Sequence, residues 1–396
     1  MPLIDAKQRP SEEFIAMMRK RFPTEPLIDE TLTRKMRRRA GPPHRPQTPA
    51  GIQERLERFL AKRIDGAFTI SNLRALAGGS SKEQFAFHLH WQDAGRERDE
   101  MLVLRMRPAE SIVETHPLRE YQALAAVRHV IPVPAVHWID CAGDELGEPA
   151  LIYGYCEGIT KPPQAGPYNP RGGFGEKYRK LLGPQFVRYF AELAKFDWSK
   201  ADMSAFAIPK VGTKDSVISQ INWWERVWQE DCIEPFPLMS LAAQWLRDNA
   251  PVLDHVSLVH QDFRGGNFLF NPADARITAI LDWELVVLGD RHADLAFFMS
   301  PLFGEVDETG RIYLGGLVEE QEFLAEYERL SGLAVDPTRL AYYNVFSCWR
   351  GGINSLATAP RIMAGEKTHQ DIRVGWILNT APLILSRVHE ALQGKL

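Results

Sequence analysis

Leu258–Asn271 reads LVHQDFRGGNFLFN, and Ala279–Glu284 reads AILDWE. An apolar run of strand texture breaks into His260, Asp262 and Asn267 around a glycine pair. It turns apolar again, and after NPADAR returns as a second apolar run that ends on Asp282. Two short strands joined by so brief a turn form a hairpin, which sets Asn267 and Asp282 at the same end. Asp262 lies on the loop that enters the hairpin, so three oxygen-bearing side chains converge at one edge. A carboxylate and an amide suit Mg²⁺, which takes one or two protein carboxylates beside substrate phosphates. Asp262, left off the metal, is then placed to orient a hydroxyl and accept its proton.

The chain that carries this constellation has 396 residues, enough for about two or three lobes with real cores. With 45% hydrophobic and 25% charged residues it matches ordinary soluble proteins, and a net charge of -4 argues against a nucleic-acid partner. The basic run RKMRRR at Arg34–Arg39 precedes the proline-rich AGPPHRPQTPAG, and reads as a solvated helix face leading into a linker. Cys141, Cys156, Cys232 and Cys348 are scattered without a C-x-x-C pair, so neither a zinc knot nor a disulfide framework is indicated, and a cytoplasmic setting fits. The N-terminus MPLIDAKQRPSEEF is charged where a signal peptide needs an apolar core. No apolar run approaches the ~18 residues of a membrane span. No repeat of solenoid or propeller length recurs.

Hydrophobic periodicity divides the chain. Residues 1–66 form a polar, proline-punctuated extension in which SEEFIAMMRKRF and GIQERLERFLAKRI alone have helical spacing. From Ala67 to Glu157 the order is β-β-β-α-β-β, with strands at FTISNLRAL, EQFAFHLHW, MLVLRM, AVHWID and PALIYGY, and a helix at ETHPLREYQALAAVRHV. After Gly158, ITKPPQAGPYNPRGGFGEKYRK is loop, and residues 158–396 are mainly helical around a small β-island. The fold class is α+β.

HQDFRGGN followed by ILDWE resembles the H-x-D-x-x-x-x-N loop and metal-binding aspartate of the aminoglycoside phosphotransferase and choline kinase-like enzymes, small-molecule relatives of the protein kinases. LAGGSSKEQFAF, LVLRMRP, REYQAL, IPVPAVHWI, PALIYGYCEG, FAELAKFDW and LGDRHADLAF resemble the same family, most of all the subgroup related to the kinase-like domain of some acyl-CoA dehydrogenases. The resemblance runs from about Leu73 and leaves the first 65 or so residues unplaced. It implies a bilobal protein-kinase-like fold, with a five-stranded antiparallel sheet and one helix in the N-lobe and a helical C-lobe. It makes Asp262 the catalytic aspartate and Asn267 and Asp282 the Mg²⁺ ligands. Gly78, Gly79, Ser80 and Ser81 become the phosphate loop, Arg105 the phosphate cation paired with Glu120, and Tyr153 and Tyr155 part of the hinge for the adenine of ATP or GTP. Three departures stand out: Gln261 follows the histidine where glycine or arginine is common, a harmless replacement because that side chain is not a reactant; Trp283-Glu284 stands where protein kinases have Phe-Gly, as is usual for the small-molecule branch; and Arg105 stands in the usual place of lysine, a planar fork for a point charge.

Some neighbours have plainer readings. His260 is a structural hydrogen-bond partner, Asp290 and Asp294 brace the site or cap a helix, and NWWERVW is core. The reaction implied is transfer of a γ-phosphoryl group to a small-molecule hydroxyl. An antibiotic kinase, a nucleotide-binding pseudokinase regulator and a metal-dependent hydrolase built on His260, Asp262, His292 and Asp294 are the alternatives. Arg350, Arg361, Lys367 and Arg373, with Lys161 and Arg171, suggest a basic acceptor wall and hence an anionic or acyl-CoA-type hydroxy compound.

Overall fold

The computed structural model describes residues 6–76, 81–93, 95–162, 173–307, 309–368 and 371–395. The expected phosphate loop is reached only at Ser81; Gly78, Gly79 and Ser80 lie outside the described residues, as does Arg171.

The N-terminal extension carries α1 (Glu12–Arg21), α2 (Pro26–Arg38) and α3 (Pro49–Leu60). The strands β1 (Phe68–Ala75), β2 (Glu83–Asp93) and β3 (Arg96–Met106) follow, then helix α4 (Pro117–Val127), β4 (Val136–Asp140) and β5 (Ala150–Gly154). They form one antiparallel sheet of order β1-β2-β3-β5-β4, as the alternating texture of the sequence predicts. Cross-strand partners share a face, so the pairs Gln84–Arg105, Val103–Tyr153 and Arg105–Leu151 put Arg105 and Tyr153 on one side. Phe85, Phe87, Leu102, Leu104 and Ile152 fill the other side against Ile52, Leu56, Phe59 and Leu60 of α3. At about 1.5–3 kcal/mol for each fully buried side chain, α3 supplies the outer layer of the sheet. α4 covers the inner face, with Ala123, Leu124 and Val127 packed in the core that Val103, Leu151 and Tyr153 share with the helical lobe.

The crossing between lobes is made at Gly158, whose φ of 140° is open to glycine alone. A Cβ there would also meet the Phe270 carbonyl at 2.9 Å. The chain then pairs Ile159 with Phe270 through two 3.0 Å backbone bonds. The helical lobe comprises α5 (Gly175–Ala194), α6 (Asp215–Asp231), α7 (Pro237–Asp248), α8 (His292–Phe298), α9 (Glu320–Ser331), α10 (Pro337–Ile353), a π-helical turn at Asn354–Thr358, and α11 (Ala359–Ala364), α12 (Asp371–Asn379) and α13 (Ala381–Leu392). Its β-island is β6 (Ser257–Val259), β7 (Phe268–Asn271), β8 (Arg276–Ile280) and β9 (Val287–Gly289), with the small hairpin β10 (Glu305–Val306) and β11 (Ile312–Tyr313) beyond it. β7 and β8 are the expected hairpin, joined in register from Phe268–Ile280. β9, which pairs with β6, and β10–β11 have too few residues to show a period and were not foreseen. NWWERVW is core, with Trp223, Trp224 and Trp228 all buried.

The N-terminal reading needs correction. PLIDETLTRKMRR, not credited with helical spacing, is a full helix, α2, opened by Pro26 at its first turn. Its basic end is not a solvated face: Lys35 and Arg39 are buried. Lys35 reaches Glu230 at 2.9 Å and Asp231 at 3.0 Å, and Arg39 reaches Asp231 at 2.6 Å. Arg361 joins the same Asp231 at 3.0 Å and pairs with Glu110. Arg34 and Arg38 grip Glu148 of the β4–β5 turn. Glu25 binds Arg119 of α4 at 2.5 Å, and Arg119 donates to the Val286 carbonyl at 3.0 Å. The extension is thus bolted to both lobes by charges that sequence periodicity places on a surface.

Candidate active site

The β7–β8 hairpin does what its sequence requires. Leu281 N–H donates to the Asn267 carbonyl at 2.8 Å, so Asn267 and Asp282 leave adjacent strands at one end. Asn267 Nδ2 donates to the Asp262 carbonyl at 2.9 Å and to Asp262 Oδ2 at 2.6 Å. That commits the amide nitrogen to Asp262 and leaves Oδ1 as the oxygen that can face a metal. Asp282 adopts φ 62°, a left-handed conformation that costs a non-glycine residue about 1 kcal/mol or more. Its side chain keeps 39% exposure, against 4% for Arg105 beside it.

The loop before Asp262 is held from behind. His260 is fully buried. Its Nδ1 accepts from Asp262 N–H at 3.2 Å, so Nε2 carries the proton and donates to the Leu281 carbonyl at 2.9 Å. Burial holds its pKa below the ordinary value. His260 is therefore a neutral strut between the two halves of the site. Asp294 accepts from His260 N–H at 2.7 Å and Gln261 N–H at 2.6 Å; burial lifts its carboxyl to about 7 despite these donors and Arg350. Asp290 accepts from His292 and Arg339, each at 2.6 Å. Asp294 braces the loop, whereas Asp290 ties the start of α8 to Arg339 of α10. Gln261, expected to be an indifferent replacement, stands at φ 70° where glycine would be unstrained. It is kept there by bonds at every polar group: Nε2 to Gln220 Oε1 at 2.7 Å, Arg350 Nη2 to its carbonyl at 2.7 Å, and Arg350 Nη1 to Oε1.

Across the cleft Arg105 meets three carboxylates. Nη1 lies 2.9 Å from Asp282, Nη2 3.3 Å from Glu284 and Nε 3.4 Å from Glu120. Burial opposes its charge, but these anions together raise its pKa well above the usual value. Burial also opposes ionisation of Asp282; Arg105, with Arg264 and His260 farther off, outweighs it and holds that carboxyl below its ordinary value. For Glu120 burial wins and its pKa is raised. Tyr153 is buried on the Arg105 face of β5, its phenol pushed up by burial. Tyr155 is 38% exposed just past the last ladder pair, its N–H on the Met101 carbonyl at 2.9 Å. The structure therefore brings Asp262, Asn267, Asp282, Arg105, Glu120 and Tyr153 together, and sets Tyr155 apart at the lobe crossing.

Sequence reasoning missed three participants. Arg264 Nε binds Asp262 Oδ1 at 2.8 Å, and its guanidinium lies 4.9 Å from the Phe303 ring centroid. Its position two residues after Asp262 was the available signal. Lys82 and Glu284 form a buried pair at 2.7 Å, which no local pattern announces. The basic acceptor wall is overturned in part. Arg350 is buried behind the catalytic loop, Arg361 is locked in the Asp231 network, and Lys367 donates to the Gly41 and Pro42 carbonyls. Lys161 is exposed, and the side chain of Arg373 is not described. What does border Asp262 is the segment around β10–β11: a Cβ on Gly265 would meet the Gly315 carbonyl at 2.6 Å. Leu302, Val306 and Ile312 of that segment are exposed.

The donor set fits Mg²⁺ held together with a nucleotide. Asp282 and Asn267 offer one carboxylate and one amide oxygen, and among the described residues no group of three or more His, Cys, Asp or Glu could hold a metal by itself. Such a half-built shell is what Mg²⁺ uses when phosphates supply the rest. The hydrolase alternative, which needs His292 as a ligand, fails on this geometry. The ring of His292 has both nitrogens occupied, by Asp290 and by Asp336 N–H at 2.9 Å.

Comparison with known proteins agrees with this geometry. The chain is 28% identical over 256 residues to acyl-CoA dehydrogenase family member 10 of Mus musculus, a match covering 63% of this chain and 22% of that protein. It spans between about a fifth and two fifths of the length of the first curated relatives it matches. In solved structures the fold is shared with a provisionally assigned aminoglycoside phosphotransferase from Ralstonia eutropha, with TM-score 0.60 and 20% identity over 86% of this chain and 98% of that one. It is shared also with a thermostable variant of aminoglycoside phosphotransferase APH(4)-Ia in complex with ADP and hygromycin B, with TM-score 0.51 and 19% identity over 85% and 98%. No helix among the described residues is long and apolar enough to cross a membrane. A family profile matches residues 72–333, from the first strand of the sheet through the whole β-island and α9, and the chain belongs to the phosphotransferase enzyme family.

Proposed function

We propose that this phosphotransferase uses ATP and Mg²⁺ to phosphorylate a hydroxyl of a small molecule. The observation that carries the reading is the convergence of Asp262, Asn267 and Asp282 at the open end of one hairpin, opposite Arg105. Phosphoryl transfer asks little covalent chemistry of the protein, so positioning and charge neutralisation supply most of the acceleration. Asp262, 22% exposed at its side chain, aims the acceptor hydroxyl and takes its proton late. Asn267 Oδ1 and Asp282 are the groups that would hold Mg²⁺, whose charge would offset that of the nucleotide phosphates. Arg105 is the cation that would turn from Asp282 to the phosphates, and Glu120 would keep its fork oriented. The phosphates lie beside Ser81, and the adenine lies against the crossing at Tyr155. Retention of all three catalytic oxygens favours an enzyme over a pseudokinase.

The acceptor is read as a hydroxy acid or hydroxyacyl thioester. Similarity to acyl-CoA dehydrogenase family members supports this, as do the exposed apolar Leu302, Val306 and Ile312 on the segment bordering Asp262, which suit an aliphatic body. A polycationic aminoglycoside would instead need clustered carboxylates at that rim. The test is mass-spectrometric detection of a phosphorylated product from ATP and Mg²⁺ across hydroxyacyl-CoAs, hydroxy acids, amino alcohols and aminoglycosides. Transfer to aminoglycosides alone refutes the acceptor class, and transfer to none of them, with no ATP turnover, refutes the enzyme.

A further inference from the structure

Lys82 immediately precedes β2 and reaches across the cleft to Glu284 Oε2 at 2.7 Å. The same oxygen receives Arg105 Nη2 at 3.3 Å. Two cations therefore share one carboxylate, and all three side chains are nearly buried. Lys82 is anchored on its own lobe by bonds to Ser111 Oγ at 3.1 Å and the Val113 carbonyl at 3.2 Å. An ammonium has three donors, and these three partners use them all. Arg105 is different: Nη1 rests on Asp282, whose side chain is open to the cleft.

We propose that Lys82 is a positioning residue of the phosphate site, holding Glu284 so that Arg105 can leave it for the nucleotide. On the phosphotransferase reading, Glu284 and the phosphates compete for Arg105. Glu284 is a buried carboxylate within reach of the guanidinium that must bind phosphate. Left alone, it would keep Arg105, because a desolvated anion without a partner is costly and a charge-assisted bond in low dielectric is strong. Lys82 approaches Glu284 more closely than Arg105 does, from a fixed anchor. The cluster of Lys82, Arg105, Glu120, Asp282 and Glu284 carries one net negative charge when all are ionised, and without Lys82 it would carry two and hold Arg105 harder.

Binding of Mg-ADP to the full chain, read by calorimetry, tests this without knowledge of the acceptor. Lys82→Met is expected to weaken Mg-ADP about ten-fold, the loss of one favourable charge interaction, and Lys82→Arg to restore most of it. Glu284→Gln alone is expected to tighten Mg-ADP, and Lys82→Met with Glu284→Gln to regain the wild-type affinity, since the competitor has lost its charge. A lysine that touched phosphate itself would leave the double variant as weak as Lys82→Met, and that result overturns the proposal. So does a Glu284→Gln protein that binds Mg-ADP more weakly than wild type, a readout that stands even where Lys82→Met fails to fold. Wild-type protein that does not bind Mg-ADP at all would sink the phosphotransferase reading, and this inference with it.

Discussion

Two buried ionic clusters meet the segment from Glu110 to Val113, one through Glu110 and the other through Ser111 and Val113, and they differ in one respect. Around Asp231, the cations Lys35, Arg39 and Arg361 close on a carboxylate that is 1% exposed, and Thr358 Oγ1 takes its second oxygen at 3.1 Å. Burial opposes the charge, yet Lys35 and Arg39 hold that carboxyl below its ordinary range. Around Arg105 the pairing is equally dense, but Asp282 opens to the cleft. A sealed cluster has nothing to exchange with and can only fix geometry. An open one has a partner that a metal and phosphates can replace. The same charge pairing serves as a bolt in one place and, on the proposed reading, as a seat for ligand in the other, and access to solvent decides which.

Substitutions should separate the two. The largest effect is expected at the open site: Asp262→Ala should lower phosphoryl transfer by about 10²–10⁴-fold, the range for a positioned proton acceptor, with Mg-ADP affinity nearly intact. Asp282→Ala should lose Mg-ADP binding itself. Equal loss of nucleotide affinity in both would break the assignment of separate roles. Next, Asp231→Ala removes the carboxylate that three buried cations share and should cost about 3–5 kcal/mol of stability. Its urea midpoint should fall sharply, while any protein that remains folded binds Mg-ADP as wild type does; an unchanged midpoint would show that the bolt carries no load.

Arg105→Met should weaken Mg-ADP by roughly ten- to hundred-fold, as expected for one or two charged hydrogen bonds, and Arg105→Lys should recover part of it. Thermal stabilisation by Mg-ADP that is identical in wild type and Arg105→Met would remove Arg105 from the phosphate site.

The smallest effect is expected at His116. Its Nδ1 accepts from Leu118 N–H at 3.2 Å and caps α4. Burial, then Arg107, Arg119 and Arg34, depress its pKa to about 4. Because the folded value lies below the unfolded one of about 6.5, the neutral ring contributes stability above pH 6.5 that is lost as pH falls towards 4. Partial solvent screening reduces this to ~1 kcal/mol. The melting temperature of His116→Asn should therefore converge on that of wild type between pH 6.5 and pH 4; parallel curves would count against the depressed value.

What could be read in advance follows from the range of each signal. Strand alternation and helix period are local, so the order β-β-β-α-β-β, the hairpin and the buried tryptophans of α6 were legible. The motif HQDFRGGN with ILDWE was legible because a hairpin converts fixed spacing into proximity. Arg264 was within that motif and overlooked. Helix α2 was obscured by charge: with Lys35 and Arg39 counted as polar surface, its apolar residues Ile28, Leu32 and Met36 show too narrow a stripe.

The sequence by itself determined the architecture of the lobes, the family and the oxygen atoms at the hairpin end, because these depend on periodicity and short spacing. Only the tertiary structure decided where the long cationic side chains went. Arg361, expected to face an acceptor, turned inward to Asp231, and Lys82 crossed the cleft to Glu284. A lysine or arginine extends several ångströms from its backbone, and its partner is whichever anion the fold leaves desolvated within that reach. That anion lies 202 residues away for Lys82 and 196 for Lys35, a separation over which no local pattern carries information.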